Sequence, residues 1–223
     1  MYLPAHFEQP DKEVIHRLMR EAPMATLVTQ AAGAIEANHL PMLLDLRGDA
    51  TILRFHVARA NPVWRETDAG GEVLAIFQGP DTYISPNWYA TKAEHGKVVP
   101  TWNYAVVHAY GKLAVFDDKQ WLREFLPALT AVHEARFEKP WRVDDAPADY
   151  VDKMMGAIVG MEIAVTRVVA KWKVSQNQPA VNKATLLSGL ERADQPGAQA
   201  MARLLAAQLA GNESKREAQG GGL

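Results

Sequence analysis

The stretch YISPNWYATKAEHGKVVPTWNYAVVHAYG, residues 83–111, carries the clearest β-strand pattern of the chain together with a concentration of aromatic residues. It holds four of the six tyrosines and two of the six tryptophans. From Thr101 onward large side chains alternate with small ones, and the large ones are Trp102, Tyr104, Val106, His108 and Tyr110. Successive side chains of a strand point to opposite faces, so one face is bulky and amphipathic. Such a face suits a planar polar ligand or a subunit contact, and it equally suits an aromatic barrel wall that binds nothing.

Runs on both sides of this stretch predict further strands at residues 24–30, 35–46, 51–59, 72–79 and 157–174, and the central strand extends to residue 116. The first two form a hairpin, and Pro41 breaks the second. Helical patterns cover residues 11–21, 117–137, 148–156, 181–190 and 197–210, and another helix opens at Pro62. Asp117 and Gln120 have the spacing of a capping box, residues 91–97 form a loop, and Gly211 ends the last helix. The pattern therefore predicts a mainly β fold with added helices (α+β), a barrel with helical decorations.

The composition narrows the classes of function. The 24 lysines and arginines against 26 acidic residues give a formal charge of −2, so the chain as a whole does not attract nucleic acid. The sequence contains no cysteine, which excludes disulfides, thiolate nucleophiles and cysteine-ligated metals. The start of the chain resembles no leader peptide, and no window holds 18 uninterrupted apolar residues, so we expect a soluble, cytoplasmic protein without membrane contact.

One DNA-binding arrangement, a helix-turn-helix over residues 179–210, is compatible with the helical pattern. Its two helices are separated by GLERADQPG, residues 189–197, which is longer than the usual turn of three or four residues. The second helix carries one cation, Arg203, before the tail. We therefore expect the helix pair to be a packing appendage without direct DNA contact.

Site motifs of the common enzyme classes are absent from the sequence, and the seven histidines are scattered with no pair at i, i+4, so no metal site is predicted. An anion site in outline lies at Arg59, Asn61 and Pro62. Asn61 suits a helix N-cap and Pro62 the first helical position, so unpaired backbone N–H groups would gather beside Arg59. An ordinary strand-to-helix cap with a solvated arginine is the alternative, which these residues alone favour.

Several ordered motifs resemble those of the PaiB family, FMN-binding split-barrel proteins described as negative transcriptional regulators. The motifs are NHLPMLLD (38–45), HVARANPVWR (56–65), VLAIFQGPDTYISPNWY (73–89), KAEHGKVVPTWNYAVVHAYG (92–111), PWRVDDAPADYV (140–151) and KWKVSQN (171–177). The resemblance runs from the first residues to about Leu190. The sequence departs from the family pattern at Ala90-Thr91, where Pro-Ser is usual, and at Gln178, where an arginine is expected.

The resemblance implies a split β-barrel domain over residues 1–177, extended by a helical appendage over residues 178–211, and a homodimer with FMN at the subunit interface. Residues 212–223 hold too little apolar surface to order, so we expect a disordered tail. The resemblance assigns Arg59 and Asn61 to the phosphate, while Trp88, Tyr89 and Trp102 would wall or approach the isoalloxazine ring. The residues assigned to the cofactor are His56, Arg59, Asn61, Ser85, Trp88, Tyr89, Thr101, Trp102, Asn103, Lys173, Ser175, Gln176 and Asn177.

Four functions share this fold, which by itself does not choose among them. The first is an FMN-binding transcriptional regulator that senses or uses flavin, and the second is an FMN-dependent NAD(P)H oxidoreductase. The third is haem binding, with His95 or His108 as the ligand, and the fourth is a dimer that binds nothing. The sequence assigns neither catalytic residues nor a substrate.

Overall fold

Seven antiparallel strands and seven helices make up the fold of the computed structural model, which describes the backbone of residues 1–67 and 71–220 and the side chains of residues 1–67 and 71–211. The strands are β1 Met24–Ala31, β2 Ala34–Pro41, β3 Leu43–Arg47, β4 Ala50–Ala58, β5 Glu72–Ile84, β6 Thr101–Phe116 and β7 Ile158–Lys173. The helices are α1 Lys12–Glu21, α2 Val63–Glu66, α3 Thr91–His95, α4 Lys119–Glu134, α5 Ala148–Met155, α6 Ala180–Arg192 and α7 Ala198–Gly220. The strand order is β2-β1-β5-β6-β7-β4-β3. The predicted α+β class is confirmed.

The strands follow from the residue patterns that predict them. β1 and β2 form the expected hairpin, with Met24 opposite Pro41 at its open end and Ala31 opposite Ala34 at its turn. Proline has no N–H to give to a ladder, so β2 ends at Pro41, and the buried Met42 separates it from β3. The strand predicted from the alternation over residues 101–110 and its extension to residue 116 is confirmed as one strand of 16 residues. β5 runs past Gly79, where the predicted strand ends, and continues to Ile84.

The chain folds as two compact units. Unit 1 contains residues 1–15, 78–107 and 169–223, and unit 2 contains residues 16–77 and 108–168. In unit 2, α4 buries Trp121, Leu122, Phe125 and Leu129 in one cluster with Met155 of α5. The close fit there requires glycine at position 160, since a Cβ atom would stand 2.3 Å from the Trp121 ring. This one apolar cluster thus packs α4 and α5 of unit 2 against the sheet.

In unit 1, α6 and α7 are fixed by buried contacts. A Cβ atom at Gly189 of α6 would lie 2.6 Å from Trp88 Cγ, so the indole rests directly on the helix backbone. Asn182 accepts a hydrogen bond from Thr91 N and donates one to Thr91 Oγ1, which ties α6 to the start of α3. Met201 and Leu205 of α7 are fully buried. Both helices are packed elements of unit 1, as the sequence predicts.

Three local predictions are wrong. Residues 91–95 form the short helix α3, although a loop is predicted there. The cap of α4 is Asp118, whose side chain accepts from Gln120 N, because the neighbouring Asp117 is paired with Arg59. α7 continues past Gly211. The prediction of a disordered tail covers residues 212–223. The side chains of these residues, and the backbone of residues 221–223, lie outside the part of the chain that the structure describes.

No helix in the described part of the chain is long and apolar enough to cross a membrane.

Candidate functional site

The thirteen residues assigned to the cofactor divide between the two units. His56, Arg59 and Asn61 belong to unit 2, and the remaining ten belong to unit 1. Each group is therefore described within its own unit.

A buried polar pair joins β6 of unit 1 to the end of β7. Asn103, which is fully buried, donates from Nδ2 to Ser175 Oγ at 2.9 Å, and Ser175 Oγ lies 3.2 Å from Asn103 Oδ1 as a second bond. Ser175 is the second residue after the end of β7. Its φ angle of 61° is a left-handed conformation, which is strained for a residue other than glycine. The strain turns the chain sharply and directs the serine hydroxyl to Asn103.

Tyr89 lies beside this pair with an unused hydrogen-bonding group. Its side chain is 4% exposed, and its hydroxyl has no partner with good hydrogen-bond geometry. Burial raises the pKa of Tyr89, and the nearby Ser175 hydroxyl opposes part of the rise. Buried polar groups are nearly always paired with protein, water or a ligand, so this hydroxyl is a donor available to a bound molecule.

Lys173 fixes the beginning of β6. Its ammonium group donates to Thr101 Oγ1 at 2.5 Å and to the carbonyl oxygen of Trp102 at 2.7 Å. Trp102 itself is 54% exposed, and its ring makes an edge contact with Tyr83 at a centroid distance of 6.3 Å. Lys173 therefore fixes the backbone of Trp102, while the flat ring of Trp102 remains exposed to a ligand.

The other assigned residues of unit 1 make structural contacts. Ser85 Oγ accepts from Asn87 N and caps a 3₁₀ turn over Pro86–Trp88, and the Trp88 indole covers Gly189. Gln176 accepts from Val174 N at 2.8 Å and donates to the Trp172 carbonyl at 2.5 Å. Asn177 is exposed. Thr101, Trp102 and Lys173 thus form one set of contacts, and Asn103 and Ser175 form a second set with Tyr89 beside it.

In unit 2, Arg59 is held on three sides. Its guanidinium forms a two-point pair with Asp117 at 2.6 and 2.9 Å and donates to the carbonyl oxygens of Gly156 at 2.7 Å and Ile158 at 3.2 Å. The pairing holds the pKa of Asp117 below its usual range through the hydrogen bond and the opposite charge. The charge of Arg59 is consequently matched within the chain.

Asn61 caps the turn that follows Arg59. Its Oδ1 accepts from Val63 N at 3.0 Å, as the sequence predicts for this helix start, and its Nδ2 donates to Asn38 Oδ1 at 2.8 Å. His56 is partly buried with its ring edge toward Phe125, and its Nδ1 has no hydrogen-bond partner. Burial lowers the pKa of His56, so the neutral ring is favoured.

Lys171 is a neighbour of the unit 1 network that the sequence analysis does not assign. It lies two residues before Lys173 on β7, is 7% exposed, and donates to the carbonyl oxygen of Tyr2 at 3.1 Å. The two lysines are separated by one residue, so both lie on one face of a strand. This K-W-K spacing is the sequence signal from which Lys171 could have been assigned together with Lys173. The burial of Lys171 follows from the N-terminal segment, which pairs with β7 through Glu8.

Comparison with known proteins identifies relatives over most of the chain. A family model described as "Putative FMN-binding domain" matches residues 1–167. The Protease synthase and sporulation protein PAI 2 of Bacillus subtilis is 33% identical over 92% of this chain and 96% of its own length. An uncharacterized protein of Emericella nidulans is 31% identical over 86% of this chain and 90% of its own length.

The fold also matches a solved structure, that of the FAD and heme binding protein from Mycobacterium smegmatis. The TM-score is 0.55 with 18% identity, over 82% of this chain and 80% of the other. At this identity the likeness concerns the fold alone, and it agrees with the predicted split-barrel class.

Proposed function

Since the chain belongs to the PaiB family of FMN-binding-domain proteins, we propose that it binds FMN and serves as a flavin-dependent regulatory protein. The observation that carries the proposal is the arrangement around Trp102 in unit 1. A half-exposed indole has its backbone carbonyl held by Lys173, and the next residue of β6, Asn103, forms a buried amide–hydroxyl pair with Ser175. Flat aromatic surface next to a few fixed polar groups is the usual composition of a site for a planar polar cofactor.

The residues present fit the chemistry of a flavin. Trp102 offers a ring face for stacking, and the buried Tyr89 hydroxyl beside Ser175 is a donor with no well-aligned partner among the described residues. Thr101 and Lys173 offer further donors next to Trp102. When bound, FMN would supply electron or hydride transfer, and the redox potential would depend on the hydrogen bonds and charges placed around it. The chain's own part is to bind the ring, orient it and hold donors at its polar edge.

The assignment of Arg59 and Asn61 to the phosphate remains a prediction. In unit 2 both side chains already form hydrogen bonds with partners within the chain. Asp117 would have to share the guanidinium with a phosphate, so this position has less free positive charge than the sequence suggests.

Regulation by this protein would act through flavin or a partner protein, because the described parts of α6 and α7 are engaged in packing. Trp88 and Asn182 fix α6, and Thr82 Oγ1 donates to the Pro196 carbonyl at 3.1 Å just before α7. A helix that reads DNA needs an exposed face rich in donors and cations. We further expect a cytoplasmic homodimer, in which a partner subunit would cover exposed aromatic side chains such as Tyr83 and Trp102.

Flavin binding is tested by titrating FMN, FAD and haemin separately into the purified protein and following flavin fluorescence or the haem absorption band. We expect saturable quenching with FMN, and we expect Trp102→Ala to weaken binding about tenfold, the worth of one stacking contact. Trp141→Ala is the matched control, since Trp141 is similarly exposed in unit 2 and lies outside the assigned residues.

Binding of haemin alone would replace the flavin proposal by haem binding. Absence of binding by all three compounds would leave the ligand-free dimer. Turnover of NADPH by the FMN-loaded protein would establish the oxidoreductase in place of a purely regulatory role.

A further inference from the structure

Two lysines of unit 1, Lys171 and Lys173, lie close together and are largely or partly buried. Lys171 and Lys173 lie two residues apart near the end of β7, so both side chains project from the same face of the strand. Among the ion pairs of the described residues, neither lysine takes part in one. The face therefore carries two positive charges that the described part of the chain does not neutralise.

Lys171 is the more unusual of the two because it is more than nine-tenths buried. Its ammonium group has one hydrogen-bond acceptor, the Tyr2 carbonyl, and lies 5.3 Å from the ring centroid of Tyr104 and 5.9 Å from that of Phe7. Ring faces attract a cation, but they do not cancel its charge. Buried ammonium groups are normally paired with an anion, but among the described residues Lys171 forms no ion pair, even with Glu8 opposite it.

Lys173 stands between this buried charge and the exposed Trp102. Two of its three N–H donors are used by Thr101 and Trp102, which leaves one. Burial lowers the pKa of Lys173, the Tyr104 hydroxyl raises it, and the charge of Lys171 lowers it further. An anion bound next to Lys173 would offset the cost of burying the lysine's charge, and it would also reduce the electrostatic repulsion between the two lysines.

We propose that Lys173, backed by the charge of Lys171, binds the phosphate group of an aromatic ligand whose ring lies against Trp102. The inference rests on the proposed flavin function and assigns the phosphate of FMN to unit 1. Arg59 is the competing position, but its charge is already paired with Asp117. A phosphate held by an unpaired ammonium forms a charge-assisted hydrogen bond without breaking an existing ion pair.

The test compares the affinities of FMN and riboflavin, which differ by the phosphate alone. Fluorescence quenching is measured for the wild-type chain, Lys173→Met, Lys171→Met and Arg59→Met. Lys112→Met is the matched control, since Lys112 is an exposed strand lysine. We expect FMN to bind the wild-type chain at least about tenfold more tightly than riboflavin, and we expect Lys173→Met to abolish that ratio while riboflavin binding changes less than about twofold. Lys173→Arg should keep most of the ratio because it keeps the charge.

Three results would overturn the inference. The ratio could survive in both Lys173→Met and Lys171→Met, it could collapse only in Arg59→Met, or the lysine variants could weaken FMN and riboflavin equally. The last result would mean that Lys173 only positions Trp102.

A second measurement decides the case in which no flavin binds and the proposed function itself fails. Inorganic phosphate at constant ionic strength should raise the unfolding temperature of the wild-type chain more than that of Lys173→Met. Equal stabilisation of both would refute the anion site independently of flavin. Circular dichroism of each variant ensures that only folded proteins are compared.

Discussion

The buried carboxylate of Glu162 in unit 2 provides the sharpest test of the interactions that hold the fold. Glu162 is 8% exposed, and its oxygens lie 2.9 Å from Arg47 and 3.2 Å from both Arg54 Nε and the indole nitrogen of Trp121. Arg54 approaches as an ion pair rather than an aligned hydrogen bond, since its Nε has no partner with hydrogen-bond geometry. The perturbation we choose is Glu162→Gln, which keeps the size of the side chain and removes its charge.

The expected cost follows from what the substitution leaves behind. The Arg54 side chain is 12% exposed, lies over Trp121 and Phe125, and would retain only Asp45 at 3.9 Å as an acidic neighbour. Removing one partner of a buried pair costs about 3–5 kcal/mol, because the remaining charge is left uncompensated. The glutamine oxygen can still accept from the indole, so we expect the lower end, about 3 kcal/mol.

Urea unfolding followed by tryptophan fluorescence measures this loss as a lower transition midpoint. Glu72→Gln is the control: Glu72 pairs with Arg167 at 3.4 Å with both side chains about half exposed, and such pairs contribute about 0–1 kcal/mol. Equal destabilisation by the two variants would refute the argument from burial. A double variant, Glu162→Met with Arg54→Met, should recover part of the loss, because an apolar pair replaces the buried charges.

Three further predictions concern local features. Gly189→Ala should destabilise the protein by about 1–3 kcal/mol because the added methyl group meets Trp88. Gly211→Ala, with open space around the added methyl group, should be neutral or slightly stabilising. Thermal unfolding of the two variants measures the difference. Burial lowers the pKa of His56, so its contribution to the free energy of unfolding should be fully present above the ordinary histidine pKa of about 6.5 and should fall as the pH drops below that value. In urea titrations between about pH 5 and 8, His56→Phe should flatten this pH dependence. Asp118→Ala should cost about 0.5–2 kcal/mol through loss of the α4 cap, and Asp118→Asn, measured by the same unfolding curve, should cost little.

Patterns that repeat along the chain predicted most of the fold. The alternation at the start of β6 and the break at Pro41 depend on residues close in sequence. α3 escaped prediction because the N–H groups of Ala90 and Thr91 at its start donate to the side chains of Thr185 and Asn182, more than 90 residues away. No local signal in residues 91–95 reveals those partners.

The candidate site shows the same division between local and distant contacts. Asn61 was recognised as a cap from its neighbours alone, and the structure gives it that contact. The pairing of Arg59 with Asp117 joins residues 58 positions apart, so the sequence could not show that the arginine's charge is matched or that Asp118 would become the cap. The bonds between Asn103 and Ser175 span 72 positions, and it was the family motifs that grouped these residues.

The division of the chain into units has a consequence for how the protein emerges from the ribosome. All of unit 2 has been synthesised once residue 168 is added, whereas unit 1 combines the first 15 residues with residues 78–107 and the segment from 169 onward. Domains generally fold as units during synthesis, so the first unit to close would be unit 2. The N-terminal strand partner of Lys171 and the residues around Trp102 must wait for the end of translation. Nascent chains that stop before residue 169 would therefore lack Lys173 and Ser175 of the candidate flavin surface.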